Sequence, residues 1–374
     1  MRSQRGMSSR VFFIPANRDE GDEAVAAKVE KVFFETGLLD KIEDKSFVAM
    51  KIHFGEQDNT GFIKPQWLVD IIRKIKEKTS RVFLTDSNTL YVGKRSNSVE
   101  HLHLAWGHGF TPENVGIPVI IADGLKGGED EEVKVNLKRV KTAKIGSVFL
   151  NSDVLVCMSH FTGHGLSGFG AAIKNLGMGC ASRAGKLDQH SEVHPWINPK
   201  HCTNCGVCFD YCPAEAIVQK DDKAFIIEDK CIGCGECLVV CSAGAVKFRW
   251  DSDVVRVQEK ISEYAFSLWK SLKGNAGCIN VLLNITKDCD CMSKDEPAIV
   301  EDIGILGSLD PVAVDQASVD MVIERSGKDI LKVGYDVDWS VQLQHGVEIG
   351  LGSRDYELIQ LGTPTQSGRG DSNP

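Results

Sequence analysis

Eight cysteines between Cys202 and Cys241 constrain this chain more than any other feature. They spell one pattern twice, as Cys202-x2-Cys205-x2-Cys208-x3-Cys212-Pro213 and Cys231-x2-Cys234-x2-Cys237-x3-Cys241-Ser242. Three cysteines spaced by two residues let one tight loop reach three irons of a cubane cluster, while the fourth thiolate arrives from elsewhere. Two [4Fe–4S] clusters are therefore expected. The pattern is an internal repeat, since adding 29 to 202, 205, 208 and 212 gives 231, 234, 237 and 241; Gly206 and Gly235 match at the same offset, as do Ala214 and Ala243. A zinc ribbon needs two cysteine pairs rather than two quartets, and a disulfide framework suits small secreted chains.

The stretch from Pro199 to Arg249 resembles a bacterial-type ferredoxin, with Ser242 standing where the first motif has Pro213. That resemblance implies exchanged fourth ligands. One cluster takes Cys202, Cys205, Cys208 and Cys241, and the other takes Cys231, Cys234, Cys237 and Cys212, so the two halves of the segment cannot fold independently.

The chain has 374 residues, far more than this segment needs, and its 42% hydrophobic content suffices to bury a larger core. A net charge of −9 argues against a nucleic-acid partner, which would require clustered basic surface. No apolar run approaches the roughly 20 residues that span a bilayer, so no membrane partner is expected. The amino terminus lacks a secretory apolar region and cleavage site. Thirteen cysteines in that setting point to a reducing, anoxic cytoplasm. The polar end, Thr363 to Pro374, reads as a disordered tail, and its Arg-Gly-Asp triplet as accidental.

Short apolar runs alternate with longer runs of helical period, the signature of an α/β fold. Strands are expected at Val11–Ile14, Ser46–His53, Arg81–Asp86, Pro118–Ala122, Asp153–Ser159, Cys278–Ile285 and Tyr356–Leu361. Helices are expected at Asp22–Thr36, Pro65–Lys78, Ser96–Trp106, Gly168–Leu176, from Val254 to near Gly274, and Pro311–Glu324 with Asp310 as N-cap. The expected architecture is an α/β core of two lobes with mixed or parallel sheets, interrupted by a small α+β ferredoxin-like domain. Residues 1–198 form the first part of the core, 199–249 the insert, 250–362 the second part and 363–374 the tail.

Outside the cluster motifs, the segment from His160 to Cys180 packs His160, His164, Lys174, Asn175 and a thiol among small residues. Glycines there let backbone N–H groups approach an anion, and a helix starting near Gly168 would aim its positive end at one. Histidine suits metal ligation or proton transfer, and Lys174 suits a carboxylate, phosphate or enolate. Asp288-Cys289-Asp290-Cys291 follows a predicted strand, where α/β proteins place their sites; its two thiols can chelate a soft metal or form a redox couple. Cys157 and Cys278 lie in apolar strand patterns and read as core residues, while Cys180 fits either role. The carboxylates Glu301, Asp302, Asp310, Asp315 and Asp320 read chiefly as caps and solvated groups, with Mg²⁺ ligation as the alternative. His101 and His103 cannot share a helix face. His53 and Glu56, at a strand end, are the better candidates.

The segment Ala171-Ala-Ile-Lys-Asn-Leu-Gly-Met-Gly-Cys-Ala-Ser-Arg-Ala-Gly-Lys186, the ferredoxin-like insert, Cys289-Asp290-Cys291 and Ser308-Leu-Asp-Pro-Val-Ala313 together resemble the domain of unknown function 362 family of iron–sulfur proteins. The resemblance covers nearly the whole chain and implies a cluster-bearing protein of anaerobes with no assigned reaction. His164-x3-Gly168-Phe169-x4-Lys174 followed by His190 is also similar to the spacing in nickel-pincer lactate racemases. There the corresponding lysine tethers the pincer nucleotide and the histidines bind nickel or move protons. No His-Arg-Pro element appears in the first half of this chain, which leaves the racemase's other proton-transferring histidine without a match.

The expected function is an iron–sulfur oxidoreductase. A soluble redox partner protein exchanges electrons with the two clusters, which relay them to a small anionic substrate, or to a metal, near His164, Lys174, His190, Cys289 and Cys291. An additional metal is expected near Cys289/Cys291 or His164/His190. The alternatives are a non-catalytic electron-transfer subunit and a nickel-pincer-like 2-hydroxy-acid isomerase. No G-x-G-x-x-G opening a helix and no P-loop occurs, so neither NAD nor ATP is expected.

Overall fold

Val48–Lys51 and Val82–Asp86 are buried at every residue, as is Val154–Ser159 within a longer strand, which requires a sheet covered on both faces. The computed structural model describes residues 8–190, 194–248 and 253–362 and contains that sheet. The expected tail from Thr363 lies outside the described residues. Eight strands take part: β1 (Ser9–Pro15), β2 (Val48–Lys51), β3 (Val82–Asp86), β4 (Val119–Ile121), β5 (Val154–His160), β6 (Ala276–Leu282), β7 (Gly304–Ser308) and β8 (Tyr356–Gln360). Their order is β8-β1-β7-β6-β5-β2-β3-β4, with every pairing parallel except the two that β7 makes with β1 and β6.

The expectation of two lobes is thereby corrected. Strands from before and after the cysteine segment interleave in one sheet, because β6 and β7 insert between β1 and β5.

Residue alternation along the strands splits the core into two layers. Val11, Phe13, Ala49, Leu155 and Cys157 face one side; Phe12, Ile14, Val48, Met50, Val154 and Val156 face the other. The second side is covered by α1 (Asp22–Glu35), α2 (Val69–Lys76) and α3 (Ser98–Gly107) through Val25, Val29, Ile71, Ile75 and Ala105. The first side is covered by α4 (Ala172–Gly177), α6 (Val254–Ser271), α7 (Pro311–Ser326) and α8 (Ser340–Glu348), and α5 (Arg183–His190) packs against α6. Among the described residues no helix is long and apolar enough to cross a membrane.

Most predicted elements recur within a few residues, and Asp310 caps α7 by accepting from the N–H groups of Val312 and Ala313. Pro65–Leu68 is a 3-10 turn leading into α2. The helix expected over Gly168–Leu176 is corrected: Thr162–His164 and Gly168–Gly170 form a hairpin, and α4 begins only at Ala172. Strand β7 was not predicted, because Gly304 and Gly307 dilute its apolar pattern. Both are needed there, since a Cβ at Gly304 would meet the Ile14 carbonyl oxygen and one at Gly307 the Val32 side chain.

The cysteine segment has its own small core. Trp196–Ile197 pairs with Val246–Lys247, and Ile217–Lys220 with Lys223–Ile226. Two short helices, Val207–Asp210 and Glu236–Val240, each follow a left-handed glycine, Gly206 at φ 82° and Gly235 at φ 77°. The 29-residue repeat thus extends to backbone conformation. It extends to hydrogen bonds as well: Ala216 N–H donates to Cys212 Sγ and Ala245 N–H to Cys241 Sγ, both at 3.2 Å.

Candidate functional site

The parallel strands β2, β3, β5 and β6 end at the same edge of the sheet, where α/β folds hold ligands. A cavity of about 460 Å³ opens there. It is lined by all five residues singled out from sequence, His164, Lys174, His190, Cys289 and Cys291, together with His53. His160, another candidate from the His160–Cys180 segment, lines it too, as do Lys51, Asp86, Tyr91, Arg95, Lys186 and Asp290, which sequence reasoning missed or left without a role.

Lys51 and Asp86, at the ends of neighbouring strands, form a buried ion pair at 2.9 Å, and Lys51 Nζ also donates to Asn175 Oδ1 at 2.6 Å. Gly179 makes room for this ammonium, since a Cβ there would lie 2.9 Å from Lys51 Nζ. Burial pushes the Asp86 carboxyl up, but Lys51, then His101 and Arg95, hold it below its ordinary range. Arg95 donates to Glu56 at 3.0 Å, to Tyr91 Oη at 2.6 Å and to His53 Nε2 at 2.8 Å. With Gly55 N–H on its Nδ1, the His53 ring has donors at both nitrogens; burial and Arg95 keep its pKa well below the usual histidine value.

His160 is the opposite case. Its Nδ1 meets Asp290 at 2.9 Å and its Nε2 meets the Leu283 carbonyl at 2.8 Å, so acceptors face both nitrogens. Burial opposes the charge, yet Asp290 and the Leu283 carbonyl outweigh it and raise the pKa. His164 receives the N–H groups of Leu166 and Ser167 on Nδ1, at 3.3 and 3.2 Å. Those donors cannot rotate away, so the ring proton sits on Nε2. Burial and then Lys174 lower the His164 pKa.

Burial brings Lys174 down to about 8, against the pull of Asp290. Its chain runs past Gly170, where a Cβ would lie 3.2 Å from Lys174 Cδ. Burial likewise lowers Lys186 to about 8 and His190 to about 3. Four basic side chains, Lys51, Arg95, Lys174 and Lys186, thus line the cavity against two carboxylates, Asp86 and Asp290. That balance suits an anion.

The expected anion site at a helix N-terminus is corrected. The first N–H groups of α4, from Ala172 and Ile173, donate to the Asp315 carboxylate at 2.9 and 2.8 Å. Asp302 holds Arg18, and Asp320 holds Gln316 and Tyr356, so these carboxylates act structurally. Cys157, Cys180 and Cys278 are fully buried in the core, and none lines the cavity. His101 is buried behind Asp86 and His103 is exposed.

Cys289 and Cys291 are joined by a disulfide with their Cα atoms 5.3 Å apart. Among the described residues no group of three or more His, Cys, Asp or Glu side chains is drawn together tightly enough for a single metal ion. Cys202, Cys205, Cys208 and Cys241 line one small cavity, and Cys212, Cys231, Cys234 and Cys237 line another. The second borders the core: Gly235 packs on Leu90, with a Cβ there only 3.3 Å from Leu90 Cδ1, and Leu90 itself lines the large cavity. Arg183 Nη1 also donates to Glu236 Oε1 at 2.8 Å across this boundary.

Among solved structures, the chain is similar to a protein from Thermotoga maritima at 9% identity and a TM-score of 0.43, covering 82% of this chain and 59% of that one. It is also similar to the lactate racemase apoprotein from Thermoanaerobacterium thermosaccharolyticum at 12% identity and a TM-score of 0.34, covering 73% of this chain and 50% of that one. The chain therefore spans about three fifths of the length of the first and half of the second. No curated protein matches it. The family described as "Domain of unknown function (DUF362)" matches residues 48–320, and the chain belongs to that family.

Proposed function

We propose that the chain is an iron–sulfur oxidoreductase in which two [4Fe–4S] clusters relay electrons to a small anion held in the cavity at the strand ends. One observation carries the reading: each small cavity in the cysteine segment is walled by four thiols in the exchanged pairing, three from one motif and the fourth from the other. The donor set fits a cubane, and N–H groups already point at Cys212 Sγ and Cys241 Sγ. Such contacts favour the more negative, reduced cluster. When bound, the clusters supply single electrons. The chain's own residues bind the anion through Lys174, with Lys186 and Arg95 adding positive charge to the cavity wall while donating to protein groups, and His164 Nε2–H offers a proton or hydrogen bond. The open volume around His164 supports an enzyme over a carrier with a closed core.

The test is anaerobic purification with iron and sulfide counting and electron paramagnetic resonance. About eight irons and eight sulfides per chain, with two interacting reduced clusters, are expected. Zinc, or no iron, at these eight cysteines would end the proposal.

A second reading, a nickel-pincer-like isomerase of 2-hydroxy acids, is favoured by the shared wall of His164, Lys174 and His190 and by Lys174 Nζ, which makes no hydrogen bond or ion pair with the described residues. Against it, the His164 ring proton sits on Nε2, so ligation through that nitrogen requires the tautomer to switch. One nickel per chain beyond the iron would promote this reading, and iron alone would remove it.

A further inference from the structure

We propose that Cys289 and Cys291 are a reversible dithiol–disulfide couple that accepts two electrons from the cysteine segment at the mouth of the cavity. The inference rests on the reading that the two quartets hold clusters. It begins with selectivity, for of thirteen cysteines eight form the two quartets and Cys157, Cys180 and Cys278 are buried in the core, while Cys289 and Cys291 alone are bonded to each other. Both line the cavity.

The second observation is the wall between this pair and the nearer quartet. Gly235, flanked by Cys234 and Glu236, packs against Leu90. The next residue, Tyr91, places its Oη 3.3 Å from the Cys291 carbonyl oxygen. Two consecutive residues therefore span the gap, with Arg95 fixing the Tyr91 hydroxyl at 2.6 Å. The third observation is charge. A thiolate next to a carboxylate is disfavoured, but Asp290, between the two cysteines, is matched by His160 at 2.9 Å.

The stoichiometry agrees. Reducing the Sγ–Sγ bond breaks it with two electrons, and two protons taken up from solvent complete two thiols. Each cubane carries one electron, so two clusters, refilled by a one-electron donor protein, match the demand of one disulfide. The couple then offers an electron pair, rather than single electrons, to whatever occupies the cavity.

The test is a dithionite titration of the anaerobic, cluster-loaded full chain after mild oxidation, followed by absorbance and by alkylation mapping of the peptide Asp288–Lys294. Wild type should take up about four electron equivalents, two in the clusters and two in the disulfide, with both cysteines becoming alkylated. The Cys289→Ser/Cys291→Ser variant should take up about two, with unchanged cluster spectra. Equal uptake in the two proteins, or cysteines that stay bonded after the clusters are reduced, overturns this inference and leaves the iron–sulfur reading intact. A preparation without iron overturns both. In a separate variant, Leu90→Ala should slow disulfide reduction without altering the cluster signals; an unchanged rate would remove the Leu90–Tyr91 route.

Discussion

Replacing Lys51 with Met tests whether the cavity floor is held by a buried ion pair. Lys51 and Asp86 are both essentially inaccessible and lie 2.9 Å apart. At an effective dielectric near 20, that separation corresponds to an attraction of about 6 kcal/mol. Part of it offsets the cost of burying Lys51, which the substitution also removes. Asp86 would retain Arg95 at 3.8 Å and His101 at 3.7 Å, neither within hydrogen-bonding distance. The remaining penalty should be about 3 kcal/mol, the low end for breaking a buried pair on one side. Urea unfolding at pH 7, followed by far-ultraviolet circular dichroism, would measure it. Lys51→Met/Asp86→Asn should recover most of the loss, because a pair removed whole leaves no uncompensated charge. The sign of the pH effect is also set. Asp86 has a depressed pKa in the fold, so it adds stability above its unfolded value that is lost as pH falls through the folded one. Without Lys51 the carboxylate keeps only Arg95, His101 and the Ser87 N–H against its burial, so its pKa should rise and the variant's penalty should shrink as pH is lowered from 7 toward 5. A single substitution costing under about 1 kcal/mol, or a double variant as unstable as the sum of the singles, would refute the reasoning.

Two further outcomes follow from packing and burial. A Cβ at Gly163 would overlap the Lys287 carbonyl oxygen, so Gly163→Ala should push apart the Thr162–His164 hairpin and the loop bearing Cys289 and Cys291. A loss of about 1–3 kcal/mol and faster alkylation of the reduced cysteines are expected, and wild-type behaviour in both would contradict the contact. His101 and His190 titrate near 3 in the fold because burial disfavours their charged forms. The unfolded chain therefore binds more protons between pH 6.5 and 3, and stability should fall with decreasing pH by up to about 1.4 kcal/mol per unit for each. His101→Gln should flatten that dependence in urea midpoints taken at pH 7, 6 and 5; an unaltered slope would show that His101 is not buried neutral.

The layered α/β character was legible because strand burial and helix spacing leave different periods. The strand order was not. Nothing local tells β6 and β7 to enter between β1 and β5, and the resulting interleaving is why two lobes were expected where one sheet exists. The same limit governs the site. His164, Lys174 and His190 lie within one short stretch, so their density was visible. Lys51, Asp86, Arg95 and Asp290 become neighbours only through sheet order. The Asp315 cap on α4 is likewise hidden by a sequence separation of 143, and without it a glycine-rich helix start reads as an open anion site. The cysteine segment was the most legible part, because its repeat at 29 residues recurs in the glycine conformations and the N–H to sulfur bonds.

Charge connects the cavity to the proposed relay. An electron reaching a buried acceptor adds a negative charge where little water can screen it, and that step is uphill unless fixed cations already face the acceptor. Four basic side chains against two carboxylates supply that field. They are not equivalent. Lys51 and Arg95 are committed to Asp86 and Glu56, whereas Lys174 makes no such pair and sits near 8. At neutral pH it is mostly protonated, and an anion in the cavity would hold it so. The group that binds the substrate's charge is then also the group best placed to release a proton once that charge has been consumed. In the proposed relay, electrons from the cysteine segment and a proton from Lys174 would reach the cavity from different walls, so that reduction would proceed without building up net charge there.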